Sequence, residues 1–405
     1  MKENASGSAM NCVSGFSVLL KSASTSPVAT QIRVNRKAAV MPTGKPMASA
    51  VSERRATPCR RSTAATQRPA SGPNSGPTTM APTIRIGEPV KIPTDAIRQA
   101  RTMGRQGYPR LASLRLGSVL TDYHLHLRPD EDGTPPERYF TTENVDRYLA
   151  AAADAGISEL GVSEHVHRFV QALDLWRHPF WEEQARDDLD SYCAFVRETP
   201  LRLGIECDFV PGAEDRTAIL LEARDFDYVV GSVHFVGERA VDHEGWDVWE
   251  GSGDPDEVWR RYFAALAGCA TSGLFDILAH PDLVKVWGAA RPMPERDPRF
   301  LYEPAVEAIA ESGIAVEVST AGLRKPAGEI YPSRAFAEMC VEAGAAFALS
   351  SDAHLPEQVG FAYDRAVEFL GELGVSEICV FEGRSRRLEP LGAAMRKDRA
   401  VRRET

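Results

Sequence analysis

Eight short apolar runs, at residues 117–121, 159–162, 201–205, 228–233, 275–279, 315–318, 346–349 and 378–381, are separated by longer amphipathic stretches. Strands alternating with helices build a parallel sheet whose helices are the crossovers. The helical stretches carry their own punctuation. Thr142 is placed to cap a helix running to about Ala155, with Gly156 just past its end. Asp254-Pro255 opens another toward Ser272, Glu303-Pro304 starts a third ending at Gly313, and Ser333 caps a fourth ending at Gly344. Repetition on this scale predicts an α/β barrel.

The chain has 405 residues, and its charge is unevenly divided. The first 80 residues carry 11 Lys+Arg against Glu3 and Glu53, a balance of +9, which leaves −19 for 81–405. That first segment is rich in Ser, Thr, Ala and Pro and shows no apolar periodicity. It cannot bury enough apolar surface to offset chain entropy, so residues 1–95 are expected to form a disordered basic tail. Three readings of the tail stand: an organelle transit peptide, a nucleic-acid-binding arm, or upstream sequence before a true start at Met80. Its scattered basic residues, with no aromatic partners, argue against the arm. No apolar run approaches the roughly 20 residues that cross a bilayer, so no membrane partner is expected. Seven Cys with no Cys-x-x-Cys pair make neither a disulfide framework nor a zinc ribbon, and reduced thiols point to a cytoplasmic protein.

Six of the nine His residues fall at or just after the end of an apolar run: His124, His126, His165, His234, His280 and His354. Glu206 and Asp352 occupy equivalent positions. In a parallel barrel all strand C-termini open on one face, where active sites of this architecture are built. A lone His at a strand end is usually a satisfied polar residue. Six such residues with two interleaved carboxylates are not six accidents. A donor set of His and carboxylate without Cys suits Zn, Mn or Fe. His124 and His126, two apart on an extended segment, point to one side, and Glu206 has two oxygens with which to bridge two ions.

His124-Leu-His126, Ser163-Glu-His165, Glu206, Gly231-Ser-Val-His234, His280-Pro and Asp352-Ala-His354 resemble the metal-binding motifs of the PHP (polymerase and histidinol phosphatase) superfamily. The segments 227–235, 273–283, 322–332 and 380–384 resemble its histidinol-phosphatase branch almost word for word. The resemblance covers about residues 118–390 and implies a PHP domain over 115–395, a distorted (β/α)7 TIM-like barrel. One of the eight runs then lies outside the barrel, the last being the candidate. It also implies two or three divalent ions. The first would take His124, His126, Glu206 and Asp352, and the second would share Glu206 and add His234 and His280. The third would use His165, His354 and Asp132. Asp132-Gly133 departs from the His-Gly common in that branch, which implies an altered metal preference.

Arg324, in Gly-Leu-Arg-Lys-Pro, has a planar fork suited to phosphate, and Arg384 is a weaker candidate for the same task. Glu206, Asp352 and Arg324 are the expected catalytic residues. Lys285 and Lys325 read equally well as solvated charges, His167 as within reach of the cup, His178 as part of a packed aromatic loop, and His243 as without a role. There is no Gly-rich P-loop, Gly-x-Ser-x-Gly elbow or Cys-x5-Arg cradle. The resemblance implies the activity of a metal-dependent phosphomonoesterase acting on a small phosphate ester, histidinol phosphate, in histidine biosynthesis. A nucleotide phosphoesterase predicts basic surface near the cup, and the acidic balance of 81–405 argues against a nucleic-acid partner. A non-catalytic metal-stabilised module predicts lost ligands.

Overall fold

The computed structural model describes residues 91–107, 118–130, 134–252 and 254–393. The expected tail, Met80 and Asp132 lie outside these residues, except that the far end of the tail is corrected. Ile92 is buried against the core, and a helix, Thr94–Gly107, begins directly after it.

Among the described residues, twelve strands follow. They are β1 (Thr121–Asp122), β2 (Glu159–Val162), β3 (Arg202–Leu203), β4 (Glu206–Asp208), β5 (Val230–Ser232), β6 (Phe235–Val236) and β7 (Arg239–Ala240). After these come β8 (Ile277–Leu278), β9 (Ala315–Ser319), β10 (Phe347–Ser350), β11 (Glu377–Glu382) and β12 (Ser385–Pro390). One parallel sheet has the order β1-β2-β3 and another the order β10-β9-β8-β5-β4, while β6-β7 and β11-β12 are antiparallel hairpins. β3 and β4 are two parts of a single extended stretch. The first pairs with β2 and the second with β5, with Gly204 and Ile205 between them. Isolated parallel bridges Leu125–Ala353 and His165–Glu206 continue the pairing beyond the regular strands.

The parallel strands are buried on both faces, as parallel sheets covered by helices are. β9 (Ala-Val-Glu-Val-Ser) is buried at all five positions. The helices pack outside. Pro255–Thr271 buries Val258, Trp259, Tyr262, Phe263 and Leu266, and Phe263 meets Tyr302 of the helix Arg299–Ser312 with ring centroids 4.9 Å apart.

Three local expectations change. Thr141, not Thr142, caps the helix Thr142–Ala155, its hydroxyl accepting from the Asn144 amide. Pro304 lies inside a helix that already starts at Arg299, so it removes one internal backbone bond rather than opening the helix. Ser333 precedes Arg334–Glu342 without a side-chain cap, and its amide donates to Asp282 instead.

The last apolar run is in the β11-β12 hairpin rather than the parallel set. Its far end returns to the chain before β1, where Val119 N donates to Pro390 O at 2.8 Å and Gly392 N to Val119 O at 2.7 Å.

Tyr228, fully buried, lies against both Gly161 on β2 and Gly204 between β3 and β4. A methyl group at either glycine would run into its ring, so the close approach of these strands needs bare backbone. Gly204→Ala is expected to lower unfolding stability by about 1–3 kcal/mol through overpacking. Chemical denaturation checks this, and an unchanged midpoint would mean that the ring moves aside freely.

Candidate metal centre

Every motif residue except Glu206 follows the C-terminal end of a parallel strand. His124 and His126 follow β1, His165 follows β2, Glu206 opens β4, His234 follows β5, His280 follows β8, and Asp352 and His354 follow β10. Period-2 alternation sends His124 and His126 to one side, with ring centroids 5.2 Å apart.

Glu206 is at the centre and has no solvent exposure. Its Oε2 lies 3.2 Å from His124 Nε2, 3.7 Å from His126 Nε2 and 2.5 Å from His165 Nδ1. Its Oε1 lies 3.3 Å from His234 Nε2 and 3.2 Å from His280 Nε2. Asp352 Oδ1 is 3.5 Å from His126 Nε2 and 3.8 Å from His124 Nε2. His354 stacks on His126 at 4.3 Å and points its Nε2 to Asp130, 3.2 Å away.

Two carboxylates that the sequence reading did not single out hold the imidazoles from behind. Glu317 Oε1 is 2.8 Å from His124 Nδ1, and its other oxygen accepts from the His280 amide at 2.5 Å. Asp208 Oδ1 is 2.7 Å from His234 Nδ1. Each such contact fixes a tautomer and turns the other ring nitrogen inward. The signal for Glu317 was a lone acid inside an otherwise apolar run. Asp208 follows Glu206 at strand spacing, two residues on. A third buried acid, Glu164, accepts from the amides of Leu127 and Arg128 and from Arg168, tying the loop after β1 to the loop after β2.

Backbone strain falls at the same place. His280 and Asp352 hold positive φ, 22° and 48°, a conformation that persists in non-glycine residues only where the surroundings enforce it. Glu317 pins the His280 amide. Arg324 donates to the carbonyls of Ser351 and Asp352, both at 2.8 Å.

The site residues therefore come together, with three exceptions. Asp132 lies outside the described residues. Arg324 is corrected: its guanidinium braces the backbone under Asp352 and lies over Phe361, and the neighbouring Lys325 lines the cavity instead. Arg384 is also corrected. It pairs with Asp276 at 2.5 Å and donates to Leu274 O, both of which precede β8, so it is at the opposite strand ends. The reason is that β11 belongs to an antiparallel hairpin, and its C-terminus does not share the direction of the parallel strands. Lys285 is buried rather than solvated, paired with Asp282 at 2.9 Å and Glu329 at 3.1 Å. His178 packs among Trp176, Phe235 and Trp246, and its Nδ1 accepts from the Phe180 amide. His167 reaches toward Asp208 at 3.6 Å, and His243 stands on the cavity wall edge-on to Phe180.

The electrostatics show what this cup needs. Burial acts to raise the Glu206 carboxyl, but His165, His124 and His234 outweigh it and hold it well below the usual range. His234 is opposed by burial, yet Asp208 and Glu206 push it up to about 10. His126, with burial dominant and His354 beside it, falls to about 3. Meanwhile His124 Nε2, both nitrogens of His126, His165 Nδ1, His280 Nδ1 and Glu206 Oε2 are buried with no hydrogen-bond partner among the described residues. Orphaned buried donors and acceptors are rare and costly. Converging imidazole nitrogens and carboxylate oxygens are the donor set of a divalent ion. The groups able to hold one are His124, His126 and Asp352; His124, Glu206 and His280; His165, Glu206 and His234; and His126, His165 and His354. The residues fit metal ions, and Glu206 belongs to two of the groups.

The cup opens into a cavity of about 420 Å³. Its lining combines the charged Arg128, Arg168, Lys325, Asp130 and Asp242 with the apolar Phe180, Phe235, Val286 and Trp287. Arg128 is paired with Asp187, and Arg168 with Glu164 and Asp130.

Comparison with known proteins identifies the family. Residues 139–321 match the family described as PHP domain. The probable histidinol-phosphatase of Deinococcus radiodurans is 34% identical over 281 residues, which are 67% of this chain and 99% of that protein. The histidinol-phosphatase of Bacillus subtilis is 25% identical over 183 residues, 42% of this chain and 68% of that one. Among solved structures, the histidinol phosphate phosphatase of Lactococcus lactis, complexed with zinc, L-histidinol and phosphate, shares the fold. It has a TM-score of 0.51 and 19% identity, and the match covers 66% of this chain and 98% of the other. The chain belongs to the PHP superfamily, in its histidinol-phosphatase branch.

Proposed function

We infer that this protein is a metal-dependent histidinol-phosphatase, hydrolysing histidinol phosphate to histidinol and phosphate in histidine biosynthesis. The observation that carries the reading is Glu206, a fully buried carboxylate faced by five imidazoles, three of which, His165, His234 and His280, line a cavity sized for one small molecule. The Deinococcus relative, matched over nearly its whole length, bears the name of that enzyme.

In this reading the seven parallel strand segments close into a distorted (β/α)7 barrel within a domain of 115–395. Support comes from the Leu125–Ala353 and His165–Glu206 bridges, which join the two parallel sheets at both of their junctions. A cytoplasmic location belongs to the same reading. The described cysteines are free, and no helix among the described residues is long and apolar enough to cross a membrane.

Two or three divalent ions of zinc, manganese or iron are assigned to the cup: His124, His126, Glu206 and Asp352 for one, Glu206, His234 and His280 for a second, and His165 with His354 for a third. Asp132, expected in the last set, lies outside the described residues, and Asp130, 3.2 Å from His354, is an oxygen donor beside that set. When bound, such ions lower the pKa of water toward about 7 and neutralise phosphate charge. The protein's own groups do the rest. Glu317 and Asp208 hold His124 and His234 in the ligating tautomer. Arg324, through the backbone it braces, sets Asp352. Lys325 makes no ion pair among the described residues and lines the cavity, so its ammonium is free to meet a phosphate oxygen. Phe180, Phe235 and Trp287 exclude water from the far side of the ester and offer flat faces to an imidazole.

The direct test is hydrolysis by the metal-loaded protein of histidinol phosphate beside thymidine monophosphate and p-nitrophenyl phosphate. Histidinol phosphate is expected to give the highest kcat/KM. Preference for the nucleotide would favour the nucleotide phosphoesterase, and turnover of none would leave a metal-stabilised module.

Glu206→Ala is expected to remove more than one equivalent of metal per chain and to abolish turnover, because it alone is assigned to two ions. Full occupancy by elemental analysis would refute the bridging role. Glu317→Gln is expected to weaken metal affinity about 10- to 100-fold by loosening His124. Competition with a chelator measures this, and an unchanged affinity would show that His124 needs no support.

A further inference from the structure

We propose that Asp242 is the specificity-determining residue of the site, selecting phosphate esters that carry an ammonium group close to the ester oxygen. The inference deepens the reading of the site as a small-molecule phosphatase and depends on it.

Three carboxylates line the cavity: Asp130, Asp242 and Asp352. Asp352 faces His126 and His124, and Asp130 faces Arg168 and His354. Asp242 alone among the three has no hydrogen bond or ion pair to a described residue. It is half-buried, where an unpaired carboxylate is costly enough to favour a cationic guest. It also lies close enough to the cup for its charge to act on His234 and on Tyr331.

Its backbone is fixed. The neighbouring Val241 donates its amide to His234 O at 2.8 Å and accepts from Trp287 Nε1 at 2.7 Å. Trp287 is in turn covered by Arg291, which is anchored on Asp247 at 2.6 Å. A carboxylate held on such a frame loses little entropy when it binds.

Charge complementarity then identifies the guest. Among the charged side chains on the wall, Lys325 is a cation without an ion pair to a described residue and Asp242 is the anion without one. The cavity is therefore matched to a molecule that is itself both anion and cation, a phosphate with a primary amine beside it. A nucleoside monophosphate has no cation near its ester, and Asp242 would repel it.

The ammonium contact exists in the bound ground state as much as in the transition state, so its loss should appear mainly in KM. In the full-length, metal-loaded protein, Asp242→Asn is expected to raise KM for histidinol phosphate about 10- to 100-fold, the size of one charge-assisted hydrogen bond. kcat should stay within a few-fold, and metal content should not change. KM for 3-(imidazol-4-yl)propyl phosphate, which lacks only the amine, should be unaltered. Asp242→Glu should recover part of the loss.

A second pair of substrates separates this proposal from the histidinol phosphate reading. Wild-type protein should prefer phosphoethanolamine to ethyl phosphate, and Asp242→Asn should erase that preference, whether or not the imidazole matters. Equal losses on amine-bearing and amine-free esters would overturn the proposal, as would wild-type KM values in the Asn variant or no preference within the second pair. Failure of wild-type protein on histidinol phosphate with the amine preference intact would overturn the substrate reading alone.

Discussion

The molecule is organised around one carboxylate that is buried with more imidazole than it can satisfy. Glu206 has both oxygens within reach of His side chains from four different strand ends. Neither hydrophobic packing nor ordinary hydrogen bonding accounts for that convergence. Such a centre is affordable only when positive charge compensates it, and the surrounding fold holds the ligands so that the compensation can be a divalent ion. The supports follow from this constraint. Glu317 touches both His124 and the backbone of His280, so one side chain sets two members of the cup from behind. The unfavourable φ angles of His280 and Asp352 are maintained by Glu317 and Arg324.

Much of this was legible in the sequence because its signals are local. Apolar runs such as 159–162 and 315–318 begin where β2 and β9 begin, and the motif His residues were found by their place at the ends of such runs. What escaped depends on direction and on distance along the chain. The run at 378–381 looks like its predecessors in composition, but the Ser385–Pro390 strand turns it into a hairpin, which carries Arg384 to the wrong end of the sheet. Arg324 follows the right strand. Its destination was decided by two carbonyls 27 and 28 positions away, which no spacing rule reveals. Glu317 was hidden because a strand buried on both faces shows no alternation to violate. Asp208 escaped because its partner His234 lies 26 positions on.

The walls of the cavity come from the loops that run on beyond the metal-facing strand ends. The loop after His234, the helical turn at Val286 and Trp287, and the segment at Lys325 and Pro326 are joined by backbone contacts such as Ala327 N to Val286 O at 3.0 Å. Reactivity and selectivity thus reside in different parts of the fold. The cup is set by buried strands that tolerate little change, while the wall is set by surface loops that can vary.

Strand alternation has a further effect at β4. Glu206 and Asp208 both serve the cup side, so the residue between them, Cys207, is directed away into the apolar interior. There its Sγ lies 3.7 Å from the Asp208 carbonyl, and burial pushes the thiol well above its ordinary range. The softest potential ligand near the centre is thus protonated and turned outward. A thiolate within the cup would recruit thiophilic ions such as copper(I) or cadmium and would be open to oxidation. With sulfur excluded by the pleat of a three-residue strand, the centre presents only nitrogen and oxygen, which protects it from poisoning by soft metals and from loss through oxidants.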